Sequence, residues 1–291
     1  MLEQGATIGI LGGGQLGRML SVAASRLGFK THIFEPGANP PAAHVADRVT
    51  TANYDDAEAL NAFAQSVDVI TYEFENIPTS ALDILENIRP IHPNREALRV
   101  SQDRITEKDF LANLGFINFT HEISVIGARS ENGDVSCFDP GENIHRGGIL
   151  HTTTVPARLS KAQRMDAVLM AGRILNALDY VGVMGLELFV TPKGLIVNEI
   201  APRVHNSGHW TQNGCAVDQF EQHIRAVAGW PLGDGSRHSD VVMENLIGAD
   251  MDRVPDLAKD PTVSLHLYGK AEVKAGRKMG HFNKIIPTPS A

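Results

Sequence analysis

The sequence predicts an α/β protein that opens with a parallel sheet. Strand-like and helix-like apolar periods alternate from residue 6 to about 92, and the first strand runs straight into the turn Gly12-Gly13-Gly14. Further on, two β-rich runs flank Pro192-Lys193-Gly194 and read as a hairpin. Residues 7–11 form the expected first strand, and residues 15–27, apolar at helical spacing, complete a βαβ opening. Strands at 31–34 and 67–71 extend the sheet, with a helix at 55–65 between them, and Pro78, Pro90 and Pro93 mark its exit. A basic helical stretch at 101–114, ended by Gly115 as a C-cap, opens a second region. That region continues with a strand at 122–128, a long helix from 161 to about 178, and the hairpin, which closes its sheet. Beyond Pro231 the chain offers a strand at 263–268 and a basic turn at 274–281. The expected domains are therefore 1–100, 101–230 and 231–291. No internal repeat or low-complexity tract breaks the pattern.

At 291 residues, 43% hydrophobic and 21% charged, the chain can bury several cores and is not of disordered composition. Its net charge of −8 argues against a general affinity for nucleic acid or an anionic membrane, so any phosphate ligand needs a local site. Met1-Leu2-Glu3-Gln4 lacks the basic stretch of a signal sequence, and no run of about 18 apolar residues occurs. A cytoplasmic protein is expected. Cys137 and Cys215 follow no metal-ligand spacing and read as ordinary buried thiols.

The hairpin carries the sharpest chemical signal. Pairing symmetrically about residue 193 sets Glu187 opposite Glu199, and two carboxylates facing each other repel unless a hard cation such as Mg²⁺ lies between them. A bulge at the turn would shift the register and part them. Directly after Glu199 come Arg203, His205, Asn206, Ser207 and His209, a crowd of donors suited to charge that develops in phosphoryl transfer. Trp210 beside them argues for partial burial. Gly12 to Gly17 matches G-x-G-x-x-G at a helix start, where backbone N–H groups favour a phosphate. Glu35, at the end of the second strand, stands where a Rossmann protein binds a ribose hydroxyl, which makes an NAD-dependent oxidoreductase a competing reading. In Tyr72-Glu73-Phe74-Glu75-Asn76, at the carboxyl end of a sheet strand, Glu73 is the better ligand candidate. His145 falls in a polar, glycine-containing loop, and Arg277 with Lys278 could clamp a second phosphate.

Several of these segments together resemble the ATP-grasp enzymes of purine biosynthesis known as 5-(carboxyamino)imidazole ribonucleotide synthases. The segments are Gln15-Leu16-Gly17-Arg18-Met19-Leu20, the strand from Glu122, Glu142-Asn143-Ile144-His145, Asn198-Glu199 through Arg203-Val204-His205-Asn206-Ser207-Gly208-His209-Trp210, and Gly276-Arg277-Lys278. The resemblance runs through nearly the whole chain. It implies an ATP-grasp fold with an N-terminal Rossmann-like (pre-ATP-grasp) domain and a small C-terminal domain. It also implies a homodimer that uses ATP, bicarbonate and 5-aminoimidazole ribonucleotide by way of carboxyphosphate, with no need for NAD. By position, Glu187 and Glu199 would bind Mg²⁺, and Arg104, Glu122, His145, Asn198 and Glu199 would surround ATP. Arg203, His205, Asn206 and Ser207 would hold bicarbonate and carboxyphosphate. Gln15, Leu16, Glu73, Arg277 and Lys278 would hold the ribonucleotide, with Lys270 and Lys278 both eligible for its anion site.

Two departures bear on catalysis. Related enzymes carry a phosphate-covering lid of several tens of residues where Gly115-Phe116-Ile117-Asn118 here joins a helix to a strand, near 115–119. They also continue with a final helix and strand past the equivalent of His281. A chain without the lid is expected to be a poor catalyst, which leaves a non-catalytic nucleotide-binding protein as a further alternative. Consecutive Cα atoms about 3.8 Å apart through the join would mark a true deletion, and a wider gap would mark omitted residues.

Overall fold

The computed structural model describes residues 1–102 and 118–286. The join expected at 115–119 and the candidate Arg104 fall on residues 103–117 or at their edge, so both the join and Arg104 lie outside the described residues.

The N-terminal sheet is fully parallel, in the order β3-β2-β1-β4, built from β1 (Thr7–Leu11), β2 (Lys30–Phe34), β3 (Arg48–Thr50) and β4 (Val69–Tyr72). Helix α1 (Gln15–Arg26) follows β1, α2 (Ala57–Gln65) precedes β4, and α3 (Thr79–Leu85) and α4 (Arg95–Gln102) lead out of the domain. The helical stretch expected at 101–114 lies, past Gln102, outside the described residues. Central β1 is buried on both faces, as a parallel strand covered by helices must be.

Among the described residues the second sheet has nine strands, from β5 (His121–Arg129) through β6 (Val135–Cys137), β7 (Gly141–Arg146), β8 (Ile149–Val155), β9 (Gly182–Thr191), β10 (Gly194–Ala201), β11 (Asp240–Ile247) and β12 (Val263–Leu267) to β13 (Lys278–Ile286). Its order is β10-β9-β5-β7-β8-β11-β13-β12, with β6 pairing only β5. Helix α5 (Lys161–Ala177) crosses it, started by a capping box in which Ser160 and Gln163 bond each other's backbone N–H. Because β11 pairs both β8 and β13, the last strands continue the same sheet. Residues 278–281, expected as part of a basic turn, form the start of β13 instead. His145 likewise lies in β7, just after a register shift at Ile144, and not in a loop.

Short α6 (Thr211–Gly214) and α7 (Gln219–Val227) pack between the two sheets around Trp210, which is 1% exposed. Asp218 caps α7, accepting from the N–H groups of Phe220 and Glu221, and its other oxygen pairs Arg26 of α1. His223 ties the regions together. The Val183 N–H donates to its Nδ1 at 3.0 Å, which leaves the proton on Nε2, 2.8 Å from the Thr71 hydroxyl. Burial, reinforced by nearby His92, pushes this imidazole down to about 3, so it stays neutral. Cys137 and Cys215 are free thiols, pushed up by burial to about 11 and about 12. No helix of the described residues is long and apolar enough to cross a membrane.

Candidate active site

The hairpin sets Glu187 opposite Glu199, by a route the sequence did not suggest. Gly194 pairs with Thr191 and Val197 with Leu188, so the turn is the tight pair Pro192-Lys193, and that register alone would oppose Glu187 to Asn198. A bulge between Val197 and Glu199 then advances β10 by one residue and brings the acids face to face. On its other side Glu187 aligns with Ser124 of β5, two residues along from Glu122 on the same face. Burial, then the charges of Glu199 and Glu122, push the Glu187 carboxyl up to about 7. Glu122 accepts from or pairs with His145 Nδ1 at 2.9 Å.

Just past β10 the chain leaves regular structure and folds back over β9. Gly185 permits this: a Cβ there would lie 2.6 Å from the Cβ of His205. His205 Nδ1 lies 2.8 Å from the Ser207 hydroxyl, and its Nε2 lies 3.9 Å from Glu187. Burial and the nearby Arg203 and Lys278 charges hold this imidazole well below its ordinary value, so it is neutral. Gly185→Ala should move His205 by a few tenths of an ångström or more and cut kcat roughly 10- to 100-fold, while metal-dependent stabilisation is retained. Steady-state rates beside thermal melts with and without Mg²⁺ check it.

Two cavities meet at this loop. One, of about 330 Å³, is lined by His145, Gly148, Leu150, Glu187, Glu199, His205, Asn206 and Lys278. The other, of about 470 Å³, takes its walls from Gln15, Leu16, Glu73, Glu75, Arg203, His205, Asn206, Lys270, Arg277 and Lys278. His205, Asn206 and Lys278 belong to both. Asn206 is 7% exposed, and among the described residues neither its amide nitrogen nor its oxygen has a partner, a state that costs about 1–3 kcal/mol per group unless a ligand supplies one. Lys270 reaches only the larger cavity, donating to Gln15 Oε1 (2.7 Å) and the Lys278 carbonyl (2.6 Å); burial and Arg277 bring it down to about 8.

The glycine turn is corrected on one point. Helix α1 has no side-chain cap of its own, and the Glu73 carboxylate fills that role by accepting from the N–H groups of Gly14 and Gly17. Glu35 accepts from Gly13 and Gly37, which uses both its oxygens. A Cβ on Gly12 or Gly14 would fall 2.5 Å from Glu73 side-chain atoms, and one on Gly13 would fall 2.7 Å from Pro40. The space a dinucleotide's pyrophosphate uses in a Rossmann turn is therefore occupied by side chains, and the NAD reading loses both its phosphate cradle and its ribose acceptor.

Among the expected residues, Glu122, Asn198 and Ser207 line neither cavity. Asn198 is the bulge residue, and the Ser207 hydroxyl meets His205 Nδ1. His209 is fully buried, its ring 4.5 Å from that of His281, and belongs to the core. Glu75, passed over in favour of Glu73, reaches the larger cavity and makes a two-point contact with Arg203 (Nε–Oε2 2.5 Å, Nη2–Oε1 3.2 Å). The spacing Glu73-Phe74-Glu75 on a strand end, with both acids on one side, was the available signal. Among the described residues no group of three or more His, Cys, Asp or Glu side chains could hold a metal, so a cation between Glu187 and Glu199 would complete its shell with phosphate and water oxygens.

The ATP-grasp domain model matches residues 94–220, the ribonucleotide synthetase preATP-grasp domain model residues 5–102, and the phosphoribosylaminoimidazole carboxylase C-terminal domain model residues 241–291. With the paired acids beside a donor-rich loop, these define an ATP-dependent ligase of the ATP-grasp class. The chain is 47% identical over 354 residues to the N5-carboxyaminoimidazole ribonucleotide synthase of Brucella melitensis, covering 98% of each chain. The crystal structure of the ADP complex of an N5-carboxyaminoimidazole ribonucleotide synthetase superposes with a TM-score of 0.93 at 34% identity, over 98% of this chain and 94% of that one. The Aspergillus clavatus synthase, in complex with ADP and 5-aminoimidazole ribonucleotide, does so with 0.90 at 27% identity, over 98% and 95%. The chain belongs to the N5-carboxyaminoimidazole ribonucleotide synthase family.

Proposed function

We propose that the chain carries out the ATP-dependent carboxylation of 5-aminoimidazole ribonucleotide to the N5-carboxyamino product in purine biosynthesis, with bicarbonate as the carbon source. The observation that carries the assignment is the shared wall of His205, Asn206 and Lys278 between a cavity that holds the paired acids and a cavity that holds Gln15, Glu73 and Arg277. ATP takes the first cavity and the ribonucleotide the second, which brings the γ-phosphate and the exocyclic amine to opposite sides of one set of donors.

A bicarbonate oxygen forms a bond to the γ-phosphorus while the bond to ADP breaks, giving carboxyphosphate. Its C–O bond then breaks to release CO₂ and phosphate, the amine nitrogen bonds the carbon, and the amine proton passes to the phosphate just released. Asn206 and Lys278 hold the negative charge of carboxyphosphate from the wall, and neutral His205 donates or accepts one hydrogen bond without competing as a cation. Arg203 adds charge from the ribonucleotide side. Lys278, which reaches both cavities, is the better candidate for the reacting anion, and Lys270 holds Gln15 in place. Glu187 and Glu199 would hold Mg²⁺, which when bound neutralises nucleotide phosphate charge; their opposition and the raised carboxyl of Glu187 fit a cation. Because Glu73 already caps α1, the ribonucleotide phosphate is held chiefly by Arg277, with Glu73 facing its polar ring or ribose. His145 borders the nucleotide with Glu122 paired behind it, and Arg104 remains a candidate there. Domains at 1–100, 101–230 and 231–291, a cytoplasmic location and a homodimer complete the proposal.

ADP release measured with and without bicarbonate and the ribonucleotide tests the reading: release that depends on both supports it, and none would favour a non-catalytic nucleotide-binding protein. Arg277→Ala should raise the KM for the ribonucleotide about tenfold or more and leave that for ATP within about twofold, since a phosphate contact remote from the amine contributes uniform binding. Calorimetry supplies the contrast, with ribonucleotide binding expected and NAD binding absent.

A further inference from the structure

Arg203 stands on the wall of the larger cavity with His205 and Asn206, and its fork is already engaged. Two of its nitrogens meet both oxygens of Glu75, and Nη1 donates to the Val204 carbonyl at 3.2 Å. The partners come from different parts of the chain: Glu75 from the exit of β4 in the parallel sheet, Arg203 from the loop after β10. Both side chains are mostly buried, 17% exposed for Arg203 and 22% for Glu75. Two-point carboxylate contact fixes the plane of a guanidinium as well as its position, which a lysine or a single hydrogen bond cannot do.

We infer that Glu75 is a positioning residue for carboxylation: it clamps Arg203 from across the domain boundary, orients its remaining charge toward the wall where carboxyphosphate breaks down, and keeps the fork from closing on free anions. This rests on the functional reading above. The clamp has two consequences. A freed Arg203 swings with its loop, so carboxyphosphate is held less well and more of it is lost to water before the amine captures CO₂. A freed fork also offers inorganic phosphate the same two-point contact that Glu75 had, and phosphate binds more tightly.

Glu75→Gln keeps the shape and removes the charge. In the full-length chain, carboxylated product formed per ADP should fall about threefold or more below the native value, and the Kd for inorganic phosphate by calorimetry should drop about three- to tenfold. A merely structural defect lowers the number of working molecules and leaves product per ADP unchanged. Glu75→Asp retains the charge but reaches only one nitrogen, and should shift both quantities in the same direction by less. In an Arg203→Lys background Glu75→Gln should move neither, because the effect runs through the fork. Unchanged product per ADP together with unchanged phosphate affinity in folded Glu75→Gln overturns the inference. The phosphate measurement needs no turnover, so a chain that binds phosphate as predicted but never forms ADP would sink the functional reading and leave the clamp standing.

Discussion

Glu187→Gln and Glu199→Gln should each abolish metal-dependent ADP formation, with a loss of about 100-fold or more, while the fold is kept. Each removes a charged oxygen from the same proposed cation site, and an amide oxygen is a far weaker partner for Mg²⁺. Stability should move the opposite way. The Glu187 carboxyl is raised to about 7 in the folded chain, so between the unfolded value near 4.5 and 7 the folded state keeps a proton the unfolded state has lost. Native stability without metal therefore falls as pH rises through this window and levels off above it. At pH 8 Glu187→Gln should be more stable than the native chain by up to roughly 3 kcal/mol, an advantage that vanishes near pH 4. Adding Mg²⁺ should stabilise the native protein and neither variant. Denaturant titrations at several pH values, with and without Mg²⁺, read all of this. Near-native turnover in either variant, or equal Mg²⁺ stabilisation of all three proteins, removes the metal role.

Local pattern carried the N-terminal sheet closely: the strand at 7–11 and the helix starting at Gln15 stand where apolar period and glycine turn put them. The C-terminal strand did not show because Lys274 to His281 has the composition of a turn, and its strand character from Lys278 comes from pairing with β11 and β12 on both sides. The opposition of Glu187 and Glu199 was legible although the route was not. Symmetry about residue 193 gave the right partner, whereas the turn is shorter and the bulge at Asn198 makes up the difference. Other features had no local signal at all. The carboxylate that caps α1 arrives from 56 residues downstream of Gly17, and the acid that holds Arg203 lies 128 residues upstream of it. A G-x-G-x-x-G pattern announces a helix start with free N–H groups; it says nothing about whether a ligand or the protein's own glutamate will satisfy them. His145 was misplaced for a related reason, since Gly147 and Gly148 mark the turn after β7, and the strand before them is fixed by its neighbours β5 and β8.

Asn206→Leu should make the protein more stable and nearly inactive. The Asn206 amide is buried on the wall shared by both cavities, with donor and acceptor unpartnered among the described residues, so the ligand-free fold carries a desolvation cost that a shape-matched apolar side chain does not. Replacing it should raise ligand-free stability by about 1–3 kcal/mol, the reverse of what most buried substitutions do. Turnover should fall about 100- to 1000-fold, the range found when one preorganised donor is taken from developing negative charge. Most of the fall should be in kcat, because in the proposed reaction the amide faces the atoms that change charge and not the remote ends of either substrate. Asn206→Asp separates the terms: it keeps the size, loses the donor and places a like charge against carboxyphosphate, so it should be as inactive as Leu yet less stable than the native chain above the carboxylate range. Chemical denaturation and steady-state kinetics on the two variants decide the matter. A Leu variant that is both destabilised and active would mean that the amide is satisfied within the protein and has no part in the reaction.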